Sequence, residues 1–385
     1  MTALAIESAT GARPEVPPTR CVITADASYA ARLAHDGADP GAWFPERWTL
    51  DGPEPYAVPL PGNQPEEPGT DVLPLTDGRV LIRREAAGRH LFSLLYPTGP
   101  GTGEVPLGAV ECGGRAELTL LPPAPDGRSA YALAVGEKST DVWLVAGGAF
   151  GPEHVAEVPG RCSGGVWLDR AGRLLALDRE PVEGGPVKSV AVDLDRGGEV
   201  SALLQITEES EDRLLLADLD TGLILVRSDA ASPGEPRLGW GVLGSTLPIR
   251  FPESLRIADC ATTPFAIQPG QTLMPESCAV ALRVDGPEGG VPWLGVWRPA
   301  EGRMHQLAAP AGWLAGAGFW SRDGVLSLPY ATEEVRCGLA RVPAPEAPAA
   351  RPAAPVAPEP PAAPRPVPLG QAPLGGRRSA SEQGG

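Results

Sequence analysis

Several short stretches of this sequence carry residue types and spacings that known chemistries use. Gly160-Arg161-Cys162-Ser163-Gly164 spells G-x-C-x-G, a nucleophile elbow with cysteine in place of serine. An elbow sits on a strand-to-helix turn, where the helix N-terminus helps to hold the anion. Here Val166-Trp167-Leu168-Asp169 follows and reads as a strand, so the stretch is expected to be a crossing between sheets. Leu219-Asp220-Thr221-Gly222 contains the D-T-G of aspartic proteases, a chemistry that needs a second carboxylate to share a proton. No second such motif exists. Gly136-Glu137-Lys138-Ser139-Thr140 resembles the end of a phosphate loop, but a Glu stands before Lys138 and the first Gly is missing, which leaves a hairpin tip. Asp193-Leu194-Asp195-Arg196-Gly197-Gly198 begins like a calcium loop and then places Leu204 where the bidentate Glu is required. His35, His90, His154 and His305 fall in unlike contexts. The expectation is no catalytic residue, no cofactor and no metal site.

Residues suited to recognition are more numerous. Glu208-Glu209-Ser210-Glu211-Asp212 puts four carboxylates in five residues. In a solvated loop, Glu208, Glu209, Glu211 and Asp212 would attract a basic protein partner by steering. Trp43 and Trp48 lie in an irregular stretch, and Trp240 and Trp313 are flanked by Gly, so these four are the candidates for an exposed aromatic patch. Trp143, Trp167, Trp293, Trp297 and Trp320 lie in strand-like runs and are expected in the core. Arg377-Arg378-Ser379 has the basic-basic-Ser pattern preferred by kinases with acidic substrate grooves, which makes Ser379 a candidate phosphosite.

The chain that must position these residues has 385 of them and a net charge of −16. No Lys/Arg cluster offsets that charge, so nucleic acid and anionic membrane surfaces are poor partners. Gly (48) and Pro (46) together make about a quarter of the chain, about twice the usual share, which excludes a helical bundle. The first twenty residues hold no charged leader region, their longest apolar run is Ala3 to Ile6, and no later stretch reaches the roughly 18 apolar residues of a membrane span. This reads as a cytoplasmic protein. Cys21, Cys112, Cys162, Cys260, Cys278 and Cys337 form no CxxC pair and are expected to be reduced and mostly buried. Lysine occurs only at Lys138 and Lys188 and asparagine only at Asn63, a bias of GC-rich bacterial genomes.

The body of the chain consists of short alternating runs such as Lys188-Ser189-Val190-Ala191-Val192-Asp193-Leu194, the pattern of half-buried strands. An Asp/Gly or Pro/Gly corner recurs at positions 28, 78, 127, 172, 222, 270 and 324, at intervals of 50, 49, 45, 50, 48 and 54 residues. Asp accepts backbone N–H groups two residues on, and Gly takes the positive φ of a tight turn. A second hairpin follows most corners by about 20 to 30 residues, which gives four strands per unit and a propeller blade. The fold class expected is all-β, a β-propeller with seven four-stranded blades, six or eight remaining open. A segment 1–19 is expected to be flexible, 20–342 to form the propeller, and 343–385 to be a disordered Pro/Ala-rich tail with nothing to bury. The last unit lacks a fourth strand in sequence, and the segment near Arg20 to Ile23, or just before it, is the expected donor that closes the ring.

Pro125-Asp126-Gly127-Arg128-Ser129-Ala130-Tyr131, Ala25-Asp26-Ala27-Ser28-Tyr29-Ala30 and Trp320-Ser321-Arg322-Asp323-Gly324 resemble the S/T-P-D-G-R-x-x-Y corner of TolB-like and related WD40-like bacterial propeller repeats. The resemblance covers most of the chain at superfamily depth. It lacks the Trp-Asp pair that ends eukaryotic-type units, so it implies the fold and no particular partner. The function expected is a non-catalytic scaffold for protein–protein interaction, a monomeric ring. The alternatives are a small-molecule or sugar-processing enzyme with its site in the central funnel, or a gate acting with a separate hydrolase.

Overall fold

The structure is a computed structural model that describes residues 20–36, 39–112, 117–270, 274–287 and 290–345. The segment 1–19, nearly all of the Pro/Ala stretch, and Ser379 lie outside the described residues. No helix among the described residues is long and apolar enough to cross a membrane.

Strands form where the sequence alternates and end where Gly, Pro or Asp interrupts it. They fall into seven antiparallel groups spanning 22–59, 71–111, 117–159, 161–204, 212–242, 261–307 and 319–343, each strand paired with its sequence neighbour. The fourth and fifth groups touch through one parallel pair, Lys188 with Asp212, and otherwise pack as separate sheets. Two groups depart from the four strands expected. The fifth has three, its last strand, Arg237–Val242, being followed only by an isolated pairing of Trp240 with Arg250. The seventh consists of Phe319–Trp320, Val325–Tyr330 and Gly338–Pro343.

Apolar side chains from successive sheets interlock. Ala31 meets Ile82 and Leu95 between the first and second sheets. Phe92 and Leu94 meet Ala132 and Val145, Leu133 and Val142 meet Leu175 and Val190, and Ala176 and Leu204 meet Leu214 and Val226. Leu225 and Trp240 then pack on Val280 and Trp297, and Leu294 and Val296 on Leu326 and Leu328. The last contact returns to the start: Phe319 and Leu339 pack on Ala30 and Trp48. The fully buried Trp48 alone gains about 2 to 3 kcal/mol from removal of its apolar surface from water.

Of the two donors expected to close the ring, Val22–Ile23 is not one, and the segment just before Arg20 lies outside the described residues. Val22–Ile23 pairs with Ala30 and Ala31 as the innermost strand of the first sheet, and among the described residues it supplies nothing to the seventh. Among the described residues, the first and seventh sheets meet through side-chain packing. The reason is one of register: the short strand already has an antiparallel partner two residues beyond its own turn.

Antiparallel order fixes which loops share an end of the ring. Connections between first and second strands, and between third and fourth, lie at one end, here called the corner end. Connections between second and third strands, and crossings from sheet to sheet, lie at the other, the crossing end. At the corner end the repeated turns have the chemistry read from sequence. Asp126 Oδ1 accepts the N–H groups of Arg128 and Ser129, both at 2.9 Å, and Gly127 stands at φ +68°. The corners also link to one another: Thr76 N–H and Thr76 Oγ1 both donate to Gly127 O, and Arg47 Nη1 donates to Gly78 O at 3.0 Å.

Candidate functional site

The acidic run lies at the crossing end, where residues 205–211 pass from the fourth sheet to the fifth. Asp212 opens the strand Asp212–Ala217 and is fully buried, so it is no part of an exposed charge patch, contrary to the sequence expectation. Its Oδ2 pairs with Lys188 Nζ at 2.8 Å and accepts Ile206 N–H at 2.9 Å, and its Oδ1 receives Ser228 Oγ at 2.6 Å and Ser210 Oγ at 2.9 Å. Lys188 Nζ also donates to Thr207 O at 2.6 Å and to Ser210 O. A buried charge needs this many partners, because removal from water costs several kcal/mol per ion.

Glu208, Glu209 and Glu211 remain exposed on the same loop. Glu211 N–H donates to Asp229 Oδ1 at 2.8 Å, and hydrogen bonds from Gly234 N–H and then Glu211 N–H hold the Asp229 carboxyl below its ordinary range. The neighbouring connection, which ends at Lys188, carries exposed Val182 and Glu183. Three glutamates are thus displayed on a loop anchored from beneath by an ion pair.

The four candidate tryptophans are buried, which removes them from any exposed patch. Trp48 donates Nε1–H to Glu46 at 2.7 Å under the Arg32 guanidinium. Trp43 lies edge-on to His35, Trp240 packs on Trp297 beneath Arg250, and Trp313 donates to Ala317 O at 2.8 Å. Flanking glycines marked close packing here, not exposure. Trp293, assigned to the core from its strand context, is instead 51% exposed at the start of Trp293–Trp297, beside exposed Val291. Phe150, in a turn at the corner end, is almost wholly in solvent.

The remaining motifs take structural places. Cys162 lies in the strand Arg161–Trp167, its N–H bonded to Thr140 Oγ1, and burial pushes its thiol up to about 11. That opposes the thiolate a nucleophile requires. Asp220 sits in the fifth corner, paired with Arg170 of the fourth, and its other carboxylate oxygen is buried without a partner among the described residues. Residues 136–138 form the hairpin tip before Ser139–Ala146. Asp193 pairs with Arg173 and Arg196. His154 meets Asp141 and His305 meets Glu301, and among the described residues no three His, Cys, Asp or Glu converge on a metal position.

At the centre, the inner strands and crossings of the first, second, third, sixth and seventh sheets surround a cavity of about 590 Å³. Its wall includes Val22, Asp71, Leu120, Phe265 and Ala317, and Asp71 is held by Arg83 at 2.6 Å. Radial sheets, inner strands around a common cavity and packing of the last sheet on the first define one architecture. The fold is a β-propeller.

As a propeller the chain is similar to several solved structures. Oligogalacturonate lyase from Vibrio parahaemolyticus superposes with a TM-score of 0.54 at 12% identity, over 85% of this chain and 92% of that one. A puromycin hydrolase variant superposes with 0.53 at 16% identity, over 84% of this chain and 52% of that one, so the propeller spans about half of the hydrolase. TolB from Acinetobacter baumannii aligns over 86% of both chains at 11% identity with a TM-score of 0.42. No family model and no curated relative matches the chain. These likenesses concern the propeller fold.

Proposed function

We propose that this propeller is a protein-interaction module whose crossing end receives a basic partner. The observation that carries the reading is the loop 205–211, on which Glu208, Glu209 and Glu211 stay in solvent while Lys188 and Asp212 fix its backbone from below. Charges displayed on an ordered loop steer association without the full entropic cost of ordering that loop on binding. The net charge of −16 extends the same field over a longer range.

The test begins with partners recovered by crosslinking from source cells, each then titrated against purified protein at low and physiological salt. Glu208→Gln, Glu209→Gln and Glu211→Gln combined should slow association about tenfold at low salt and flatten its salt dependence, with the unfolding midpoint unchanged. Cys162→Ala and Asp220→Asn should bind as wild type. Unchanged association in the triple variant defeats the reading. So does any turnover that Cys162→Ala abolishes in a folded protein.

The central cavity favours a second reading, a site for a small ligand in the funnel. Its volume of about 590 Å³ is sufficient for such a ligand, and Arg20, Thr70, Asp71 and Thr119 put polar side chains on its wall. The lyase and hydrolase named above are the enzymatic counterparts of this reading, and sugar or peptide turnover by the purified chain would establish it.

A further inference from the structure

We propose that the cleft between the fifth and sixth sheets binds a small organic anion, a carboxylate or phosphate carried on an apolar body. The proposal is independent of the acidic-loop reading, because it concerns other residues and the opposite sign of charge.

The cleft exists because the fifth sheet has no full fourth strand. After Trp240 exchanges two hydrogen bonds with Arg250, both at 2.9 Å, the chain turns through Glu253–Leu255 and wraps the crossing end instead of continuing the sheet. It leaves a cavity of about 560 Å³ whose wall includes Arg227, Arg237 and Arg256, with Leu238 and Leu255 as apolar surface and Thr262 on the far side. Three guanidiniums around one gap are notable in a chain so rich in carboxylates.

Their partners leave hydrogen-bonding capacity unused. Half-buried Arg227 donates to Thr262 O at 3.3 Å and has no carboxylate partner among the described residues. Directly across the strand pair from it stands Arg213, on the same face of the sheet. Like charges in that position repel and are ordinarily avoided. Arg213, however, turns to Ser163 Oγ at 3.4 Å and pairs with the Glu211 carboxylate at 3.5 Å, so its charge is met outside the wall of the cleft, whereas that of Arg227 is not. Arg237 is 17% exposed and uses one nitrogen on Glu253, a rim carboxylate that is itself 75% exposed. Arg256 and Glu235 stand 4.0 Å apart, both in solvent.

An oxyanion in the cleft would accept the free N–H groups of Arg227 and Arg237 in the forked geometry that guanidinium offers. Leu238 and Leu255 would cover an apolar body, so selection should favour an organic anion over a bare inorganic one.

The experiment titrates the full chain by calorimetry with phenyl phosphate, benzoate and inorganic phosphate. The expected result is saturable one-to-one binding of at least one organic probe, at least several-fold tighter than inorganic phosphate. Preference between phenyl phosphate and benzoate identifies the oxyanion. Arg227→Met should weaken binding by at least about tenfold while leaving the ligand-free unfolding midpoint nearly unchanged, since the hydrogen bond it removes, to Thr262 O at 3.3 Å, is long. Arg256→Gln, at a side chain already in solvent, tests the cleft with no risk to folding and should weaken binding several-fold. Arg79→Gln, at the corner end, should bind as wild type. Absence of saturable binding by both organic probes overturns the proposal, as does unaltered affinity in the Arg227 and Arg256 variants or an equal loss in the Arg79 variant.

Discussion

The corner end and the seam between the fourth and fifth sheets use the same residue types for opposite purposes. At the corners, Asp26, Asp77, Asp126 and Asp169 accept N–H groups within five residues along the chain, at or near the surface. At the seam, Asp178 and Asp212 bind Ser189, Lys188 and Ser228, which lie 11, 24 and 16 residues away, in the interior. The corner carboxylates stay partly hydrated, so each contributes little and can be repeated. The seam carboxylates are desolvated, so each needs several partners and occurs once. The difference teaches that the corners set the repeat, whereas the seam joins two particular sheets and orders the acidic loop between them.

The largest expected effect breaks the seam. Lys188→Met would leave Asp212 charged, buried and without its cation, at a cost of about 3–5 kcal/mol in urea unfolding. Adding Asp212→Asn to it should recover part of that loss, since the orphan charge goes with it. A loss under about 1 kcal/mol would mean that the seam is no more critical than a corner.

Next come the corner glycines, which should differ among themselves. Gly127→Ala meets a positive φ and would also place its Cβ 2.2 Å from Thr76 Cγ2, so about 2–4 kcal/mol is expected. Gly222→Ala meets the same backbone strain with nothing nearer than 3.5 Å and should cost about 1–2 kcal/mol. Equal losses at both positions would show that local strain alone governs the corners.

Asp126→Ala should cost about 1 kcal/mol, the worth of a lost cap-like set of hydrogen bonds. Desolvation pushes the Asp126 carboxyl up, but bonds from Ser129 and Arg128 outweigh it and hold it below its ordinary range. With a depressed native pKa, its contribution is present above the unfolded carboxylate value of about 3.9 and is lost as pH falls through the native one. The gap between variant and wild-type midpoints should therefore be flat from about pH 5 to 8 and narrow in acid.

The smallest effect has the opposite sign. Burial raises the Asp178 carboxyl, and the bonds from Ser189 and Leu214 N–H only partly offset it. A raised native pKa means stability lost as pH rises through it. Asp178→Asn keeps an acceptor for both donors and removes the buried charge, so its midpoint should equal or slightly exceed that of wild type near neutral pH, the advantage fading in acid. A clear loss near neutral pH would mean that the ionised carboxylate is itself needed at the seam.

Much of the architecture was legible in the sequence. Alternation gave the strands, and Asp-Gly spacing gave the corners and their period of about fifty residues, because both depend on neighbours within a few positions. The three strands of the seventh sheet agree with the fourth strand found missing from the last unit, whereas the short fifth sheet was harder to see, because the turn after Trp240 lacks the punctuation that marks a missing strand. For the candidate site, the exposure of Glu208, Glu209 and Glu211 followed from composition. The burial of Asp212 did not, because Lys188 is its neighbour only once two sheets meet.

By itself, then, the sequence determined strand periodicity, turn chemistry, the division into repeats and the acidic character of one crossing. All of these are properties of a few consecutive side chains and their own backbone. Only the tertiary structure decided which tryptophans are covered, that Val22–Ile23 serves the first sheet and not the last, and that Arg227, Arg237 and Arg256 gather at one gap. Burial and charge proximity are set by which sheets become neighbours in the ring, and residues dozens of positions apart carry no mark of that meeting until the ring has closed.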